Sequence, residues 1–509
     1  MKKQVKVMLV TMFNYEDLGT KIISSLLNKH NFETVIVYLK EQNTNVSKFP
    51  TEKELDLFFE LIKREQPEVV GFGFKSCFSQ YVNEITKQLR QRLYKGKIIY
   101  GGVHAILCSQ ECIEHADLVC TGEGEHAMLE LCRRIAEGES YNDLAGFWVR
   151  QGDKIYKNPV RPLIEDLDSL PIPDFENRKE YFIDMDIIAT DYCEASRDPG
   201  DYYQIISSRG CPFRCTFCGN TALISHYKGK GRYLRRRSPE HVVAELELAK
   251  KYTSRHKVLF NDDVFCFDEN WVNDFVKEYK KRVNLPFRAL THPRFTDPEI
   301  LSKLKDAGLF YLKMGIQSGS SRTRKEVFDL RTKDEEILEA ADTIHKLGIT
   351  KEYDVIMDNP WETRKDKAAS IKMFLKLDRP FYLSTYSMVY YPKTVLTERG
   401  LDEGKIAVED VDGWGGKSLQ QTIMSGNYER SREDEFYFHI IELIRAQESP
   451  NWLIKFFFYN PYFRLFPNQI VFWSNIGVLG YKFVAALVTG KLTVTRIKRG
   501  VTRMIKNIV

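Results

Sequence analysis

The sequence predicts an α/β protein in three stretches: a doubly wound parallel sheet, a partial or full (β/α) barrel, and a mainly helical C-terminal region. Three observations predict it. Short β-branched runs alternate with helical patterns through about the first 140 residues. The alternation resumes from about residue 200 to 390. The last 120 residues or so then change character, with an amphipathic pattern over 432–447 and an aromatic-rich stretch behind it.

In chain order, strands are expected at Val5–Thr11, Thr34–Leu39, Val69–Phe74, Lys97–Tyr100 and Leu118–Cys120. Helices are expected between them, at Leu18–Lys29, Glu52–Glu65, Gln80–Leu93 and Glu125–Glu137. Such alternation means a parallel sheet with helices on both faces. Ligands then bind at the strands' carboxyl ends. Residues 146–200 read as a connector, with a small hairpin turning at Gly152-Asp153 and four prolines that forbid regular helix. In the second repeat, strands are expected at Tyr203–Ser207, Val258–Asn261, Phe287–Leu290, Tyr311–Gly315, Glu352–Met357 and Leu383–Met388. Helices are expected at Pro239–Tyr252, capped by Ser238, and at Glu269–Arg282. The domain divisions that follow are 1–145, 146–200, 201–395 and 396–509.

The composition is that of an ordinary globular chain, 43% hydrophobic and 28% charged over 509 residues. A net charge of +5 is too small at this length to argue for nucleic acid. Of ten cysteines, seven (Cys77, Cys108, Cys112, Cys120, Cys132, Cys193 and Cys266) are scattered, mostly in apolar or helical contexts. That pattern predicts a reduced, cytoplasmic chain rather than a disulfide framework. The N-terminus runs into a strand without an apolar leader, so no secretory signal is expected.

The other three form one run, Cys211-Pro-Phe-Arg-Cys215-Thr-Phe-Cys218. Three thiolates so close in sequence can face one point. They select zinc or an iron–sulfur cluster. Zinc would need a fourth ligand, and His226 is the nearest downstream histidine. A cluster on three cysteines leaves one iron open to a cosubstrate.

The run resembles the cluster loop of radical S-adenosylmethionine (radical SAM) enzymes, including the aromatic Phe217 and the Gly219-Asn220 that follow the pattern. The resemblance implies a 4Fe–4S cluster on Cys211, Cys215 and Cys218, with SAM on the open iron. Asn261-Asp262-Asp263, Met314–Ser320 and Tyr353–Thr363 then follow as strand termini that resemble the family's SAM-facing segments. They carry Asp262, Gln317, Ser318 and Asp354 as expected SAM contacts, with Gln317 where the family commonly has Glu.

The N-terminal stretch resembles the cobalamin-binding module of cobalamin-dependent radical SAM proteins. The likeness rests on Gly101-Gly102-Val103-His104-Ala105 and Thr121-Gly122-Glu123-Gly124-Glu125, both read as loops. Glycines there let backbone approach a large planar ligand. Asn14, Glu16, Gly19, Gly73, Ser76, Gly101, Gly102, Val103, His104, Gly122 and Glu123 are the expected cobalamin contacts. Many such modules carry Asp-x-His-x-x-Gly, whose His binds cobalt from below. Here Glu16 stands where that His would be, so no histidine from this loop is expected to ligate cobalt.

Residues 470–490 are largely apolar but include Lys482, and six basic residues without an acid follow from Lys491 to Lys506. A core helix, a helix lying in an anionic membrane surface and, at about the length that spans a bilayer, a crossing helix are the three readings of this stretch. The resemblance implies a 5′-deoxyadenosyl radical that takes hydrogen from an unactivated carbon, with an external electron donor such as flavodoxin or ferredoxin. Methylation of an apolar substrate (lipid, isoprenoid or tetrapyrrole) is the expected outcome. Oxidative cyclisation or ring rearrangement with the same cofactors is the alternative. A corrinoid- or cluster-binding protein without turnover is the alternative of another class. An anaerobic setting and peripheral contact with the inner face of the cell membrane complete the expectations.

Overall fold

The computed structural model describes residues 4–14, 17–41, 49–176, 178–191, 201–412, 429–447 and 449–474. Its first sheet holds β1 (Lys6–Met12), β2 (Glu33–Leu39), β3 (Val69–Gly73), β4 (Lys97–Gly101) and β5 (Leu118–Cys120), parallel in the order β5-β4-β3-β1-β2. These strands are buried on both faces, which is why they read as continuous apolar runs rather than as alternation. One face is covered by α2 (Glu52–Glu65) and α3 (Ser79–Gln91), through Leu55, Phe58 and Ile62 and through Val82, Ile85 and Leu89. The other is covered by α1 (Leu18–Lys29), with Leu26 and Leu27.

Two short helices, α4 (Val103–Leu107) and α5 (Ser109–Cys112), follow β4, and α6 (Gly124–Glu137) follows β5. The stretch read as a loop over 101–105 therefore turns helical at Val103. Strand order reverses at β1, which sits between β3 and β2. The loops after β1 and β3 consequently part in opposite directions and leave a crevice at their carboxyl ends.

The connector contributes more than a link. β6 (Phe147–Gln151) and β7 (Lys154–Lys157) form the expected hairpin and pair antiparallel onto β5. β8 (Glu180–Asp184) pairs parallel to β2, and β9 (Ile187–Ala189) folds back on β8. The sheet thus has nine strands, and its two edges come from residues 147–189.

The second sheet has six parallel strands in sequence order: β10 (Tyr202–Ile205), β13 (Lys257–Phe260), β14 (Phe287–Thr291), β15 (Leu309–Gln317), β16 (Thr350–Met357) and β17 (Tyr382–Ser387). β10 and β17 do not pair with each other among the described residues, so this is a partial barrel. A two-stranded ribbon, β11 (Ser208–Arg209) with β12 (Arg235–Arg236), closes the neck of a long excursion between β10 and β13. That excursion carries the three cysteines and α7 (Gly219–His226). Outside the barrel lie α8 (Pro239–Tyr252), α9 (Glu269–Arg282), α10 (Pro298–Asp306), α11 (Asp334–Lys346), α12 (Arg364–Phe374) and α13 (Val395–Asp402). Ser238 caps α8 with Pro239 in its first turn, as expected.

The C-terminal helices α14 (Arg432–Arg445), α15 (Asn451–Tyr459) and α16 (Pro461–Leu465) share the barrel's core. Phe436, Ile440, Ile444, Ile454 and Phe457 belong to the same buried cluster as Tyr353, Leu383 and Phe374. A buried, bidentate ion pair fastens this end: Arg430 donates to both carboxylate oxygens of Asp358, at 2.7 and 2.6 Å, just beyond β16.

Candidate functional site

The cysteine loop is built by backbone bonds to neighbouring elements. Thr216 donates its N–H to the Phe328 carbonyl at 3.1 Å and its hydroxyl to Val327 at 2.5 Å. Cys218 N–H bonds the Cys215 carbonyl, and the Thr221 hydroxyl bonds that carbonyl at 2.7 Å. Cys215 and Phe217 lean on a small apolar cluster that includes Val327, Phe328, Leu330 and Trp361. Phe217 meets Phe328 edge-on, with ring centroids 4.8 Å apart. The neck needs Gly210: its φ is +92°, and a Cβ there would stand 2.5 Å from the Tyr233 carbonyl.

All three thiols are half-buried in this loop. Burial raises each thiol's pKa, that of Cys211 to about 12. Tetrahedral zinc at about 2.3 Å would hold sulfurs about 3.8 Å apart. Among the described residues, the group of His, Cys, Asp or Glu ligand atoms all within 4.8 Å of one another is elsewhere, and the three sulfurs are spread wider. His226 bonds the Thr121 carbonyl through Nε2 at 2.7 Å, so it is spent on the first domain. Three thiols on one loop, with His226 engaged elsewhere, suit an iron–sulfur cluster with one open iron.

Around the loop, Asn220 Nδ2 lies 3.8 Å from Cys218 Sγ and donates to Asp263 at 3.0 Å, while Tyr233 donates to Asn220 Oδ1 at 2.6 Å. Gly219 opens α7 beside them. The structure separates the two adjacent carboxylates. Asp262 is buried and accepts from the Ser207 N–H and from the hydroxyls of Ser207 and Ser208, so its oxygens brace the passage from β10 into β11. Asp263, which sequence reasoning passed over, is the one beside the cysteines. Both aspartates follow the end of β13 at Phe260, and the sequence carries no sign of which carboxylate the loop turns toward the cysteines.

Gln317 ends β15 at a positive φ of 66°. Ser318 is buried and donates to Glu362 at 2.7 Å. Asp354 points into the barrel, where Lys313 Nζ lies 2.9 Å away; burial lifts its carboxyl pKa to about 6 against the pull of that lysine. Burial likewise lifts Glu362 to about 7. An acid whose folded pKa exceeds its unfolded value favours the fold while protonated, so this contribution fades as pH rises from about 4.5 through about 7. Glu362→Gln should flatten that part of the pH–stability curve, read as the urea midpoint across this range. A curve identical to wild type would show that the Glu362 carboxyl titrates alike in the folded and unfolded chain.

Between the two sheets lies a cavity of about 900 Å³. Asn14, Gly19, Gly73, Gly101, Gly102, Val103, Gly122 and Glu123 line it from the first sheet. Gln204, Ile206, Ser208, Arg209 and Asn261 line it from the barrel. Leu9, Gly71, Ile99, Cys120 and Met128, on the sheet face that α1 and α6 cover, line it as well. Its volume is near the upper size of small-molecule sites (about 300–1,000 Å³), which suits a large ligand. Gly102 makes the wall possible: at φ +85°, a Cβ would stand 2.6 Å from the Phe74 carbonyl.

Two expected contacts are not in this wall. His104 is fully buried behind it, with Nδ1 3.0 Å from the Ser76 hydroxyl, and Ser76 stands there too. Glu16 lies outside the described residues. Glu123 lines the cavity, but its carboxylate is engaged: it accepts from Arg209 at 2.8 Å, Arg235 at 2.9 Å and the Ile164 N–H at 2.7 Å. Burial opposes that charge, yet Arg235 and Arg209 hold the carboxyl below its ordinary range. Arg209 also bonds Glu125 at 2.5 Å. The residue two places before Cys211 is therefore clamped to the loop that opens α6. Sequence reasoning missed Arg209 and Arg235, whose partners lie 84 to 112 residues away.

The chain matches the B12 binding domain over residues 5–132 and the Radical SAM superfamily over residues 205–373. It is 27% identical over 346 residues to an uncharacterized methyltransferase of Pyrococcus horikoshii, covering 66% of this chain and 70% of that protein. It is 26% identical over 336 residues to the anaerobic magnesium-protoporphyrin IX monomethyl ester cyclase of Cereibacter sphaeroides, covering 62% and 50%. Its fold is similar to that of the radical S-adenosylmethionine methyltransferase TsrM of Kitasatospora setae, at TM-score 0.64 and 16% identity, over 79% of this chain and 78% of that one. With the two domains joined in this order, the chain belongs to the cobalamin-dependent radical SAM enzymes, whose cofactors are a 4Fe–4S cluster, SAM and cobalamin.

Proposed function

We propose that the chain methylates an unactivated carbon of an apolar substrate: a lipid, an isoprenoid or a tetrapyrrole. The observation that carries this reading is the shared cavity, walled by the first sheet's carboxyl-end loops and by the barrel strand that leads into the cysteine loop. When bound, the cluster and SAM supply a hydrogen-abstracting radical and cobalamin supplies a transferable methyl group. The chain's own residues do the positioning. Cys211, Cys215 and Cys218 would hold the cluster, and the apolar packing of Phe217 against Phe328 keeps water from one side of it. Asn220 and Asp263 stand where they can meet the polar end of SAM. Gly101, Gly102 and Gly122 would let a corrin ring lie against backbone.

Anaerobic reconstitution with SAM, a flavodoxin- or ferredoxin-type donor and lipid extracts tests this by mass spectrometry. A product heavier by one methylene unit is expected. Loss of hydrogens or gain of oxygen would mean cyclisation. No 5′-deoxyadenosine with any extract would mean a binding protein without turnover.

Peripheral membrane contact belongs to the same reading. No helix among the described residues is long and apolar enough to cross a membrane. Yet α15 buries Leu453, Ile454, Phe457 and Phe458 while exposing Trp452, Phe456 and Tyr459 on its other side. Tyr462, Leu465, Phe466, Phe472 and Trp473, further along the chain, are exposed as well. An exposed face with three aromatic side chains beside Lys455 suits an apolar, anionic neighbour. Of the apolar stretch 470–490, the residues beyond Ser474 lie outside the described residues. Flotation with anionic vesicles should carry the chain, and Trp452→Glu with Phe456→Glu should release it; equal flotation of both would refute the contact.

A further inference from the structure

We propose that His104, Cys108 and Glu111 form a binding site for a thiophilic divalent metal, zinc in the first instance, behind the cavity wall. One ligand atom from each lies within 4.8 Å of the other two, and His104 Nε2 stands 3.7 Å from a Glu111 oxygen. Bonds of about 2.0–2.3 Å around tetrahedral zinc put ligand atoms about 3.3–3.8 Å apart, so only a small inward shift is needed. Spacings of four and three residues put the three side chains on one side of the α4–α5 turn.

The histidine supplies the independent sign of a ligand. His104 is fully buried, yet its Nε2 has no hydrogen-bond partner. Such orphaned nitrogens are rare in folded proteins and call for an explanation. Its other nitrogen is tied to the Ser76 hydroxyl at 3.0 Å. With Nδ1 protonated and donating there, the Nε2 lone pair is left for a metal on the side of the Glu111 carboxylate, 3.7 Å away. Metal-binding histidines are held this way, with the second ring nitrogen fixed by a neighbour. A nitrogen, a sulfur and a carboxylate oxygen form a donor set that suits zinc. Glu111 is partly exposed, which provides an entry path and leaves a fourth position for water.

The site has a role in the fold. α4 begins directly after Gly101-Gly102, and Ser76 sits on the loop after β3; both loops wall the cavity. A metal at His104 would tie α4 to α5 and, through Ser76, brace the second loop. It would stiffen the wall without touching the cavity's contents.

Zinc and iron measured together on the full chain, purified anaerobically, incubated with equimolar zinc chloride and desalted, test the site. About one zinc per chain is expected in wild type and in Cys215→Ala, since the site is independent of the cluster. His104→Gln and Cys108→Ser should fall to background, while Cys132→Ser, which alters a buried thiol outside the group, should keep its zinc. Ser76→Ala should weaken zinc retention against a competing chelator by about 10- to 100-fold. Glu111→Gln changes a partly exposed residue and guards against misfolding; it should also lose zinc while its circular dichroism stays that of wild type. A wild-type chain without zinc, or equal zinc in Glu111→Gln and wild type, would overturn the proposal.

Discussion

Cys215→Ala should leave the chain without its cluster. Anaerobic reconstitution would return background iron, against about four per chain in wild type. Production of 5′-deoxyadenosine from SAM and reductant would fall below detection. The effect is large because the cluster would lose one of its three thiolates, and the nearest downstream histidine, His226, is bound to Thr121. The backbone should survive, because the Cys215 carbonyl, which accepts from Cys218 and Thr221, is untouched. Far-ultraviolet circular dichroism and cobalamin binding should therefore match wild type. A Cys215→Ala chain that still cleaves SAM would sink the assignment of the loop.

The second large effect is expected at Arg209. Its guanidinium joins Glu123 and Glu125 of the B12 domain to the neck of the cysteine loop. Glu125 is nearly inaccessible and Glu123 little less so, so removing the arginine strands buried negative charge. Breaking such a pair costs about 3–5 kcal/mol. For a domain of this size, that lowers the melting midpoint of its transition by roughly 6–20 °C. Arg209→Met should do this while iron content holds. Cobalamin should be retained more weakly, because the Glu123 loop lines its cavity. Arg209→Lys should rescue only part of the loss, since an ammonium lacks the fork that reaches both carboxylates. Arg209→Met combined with Glu125→Gln should be less destabilised than the sum of the two single changes. Strict additivity would mean that the clamp carries no coupling.

Much of the fold was legible in the chain. The five parallel strands of the first sheet and the six of the barrel each appear within two residues of an expected run, because periodicity and β-branched composition act locally. β8 and β9 were not foreseen. They follow a proline-rich stretch, and β8 finds its partner β2 some 140 residues upstream. Nothing local announces such a pairing.

The site divides in the same way. The cysteine spacing and the glycine loops are written in consecutive residues, and both were readable. The sequence could not say which of Asp262 and Asp263 faces the cysteines, that Glu123 answers to Arg209 and Arg235, or that His104 turns away from the cavity. Each of those depends on groups that meet only after loop closure and packing, where burial decides which polar atoms find partners. The sequence by itself determined the chemistry this protein can hold: three thiols on one loop and glycine walls for a large ligand. Only the tertiary structure decided how the two halves are joined, because a buried charge must find its counter-charge wherever the fold brings one.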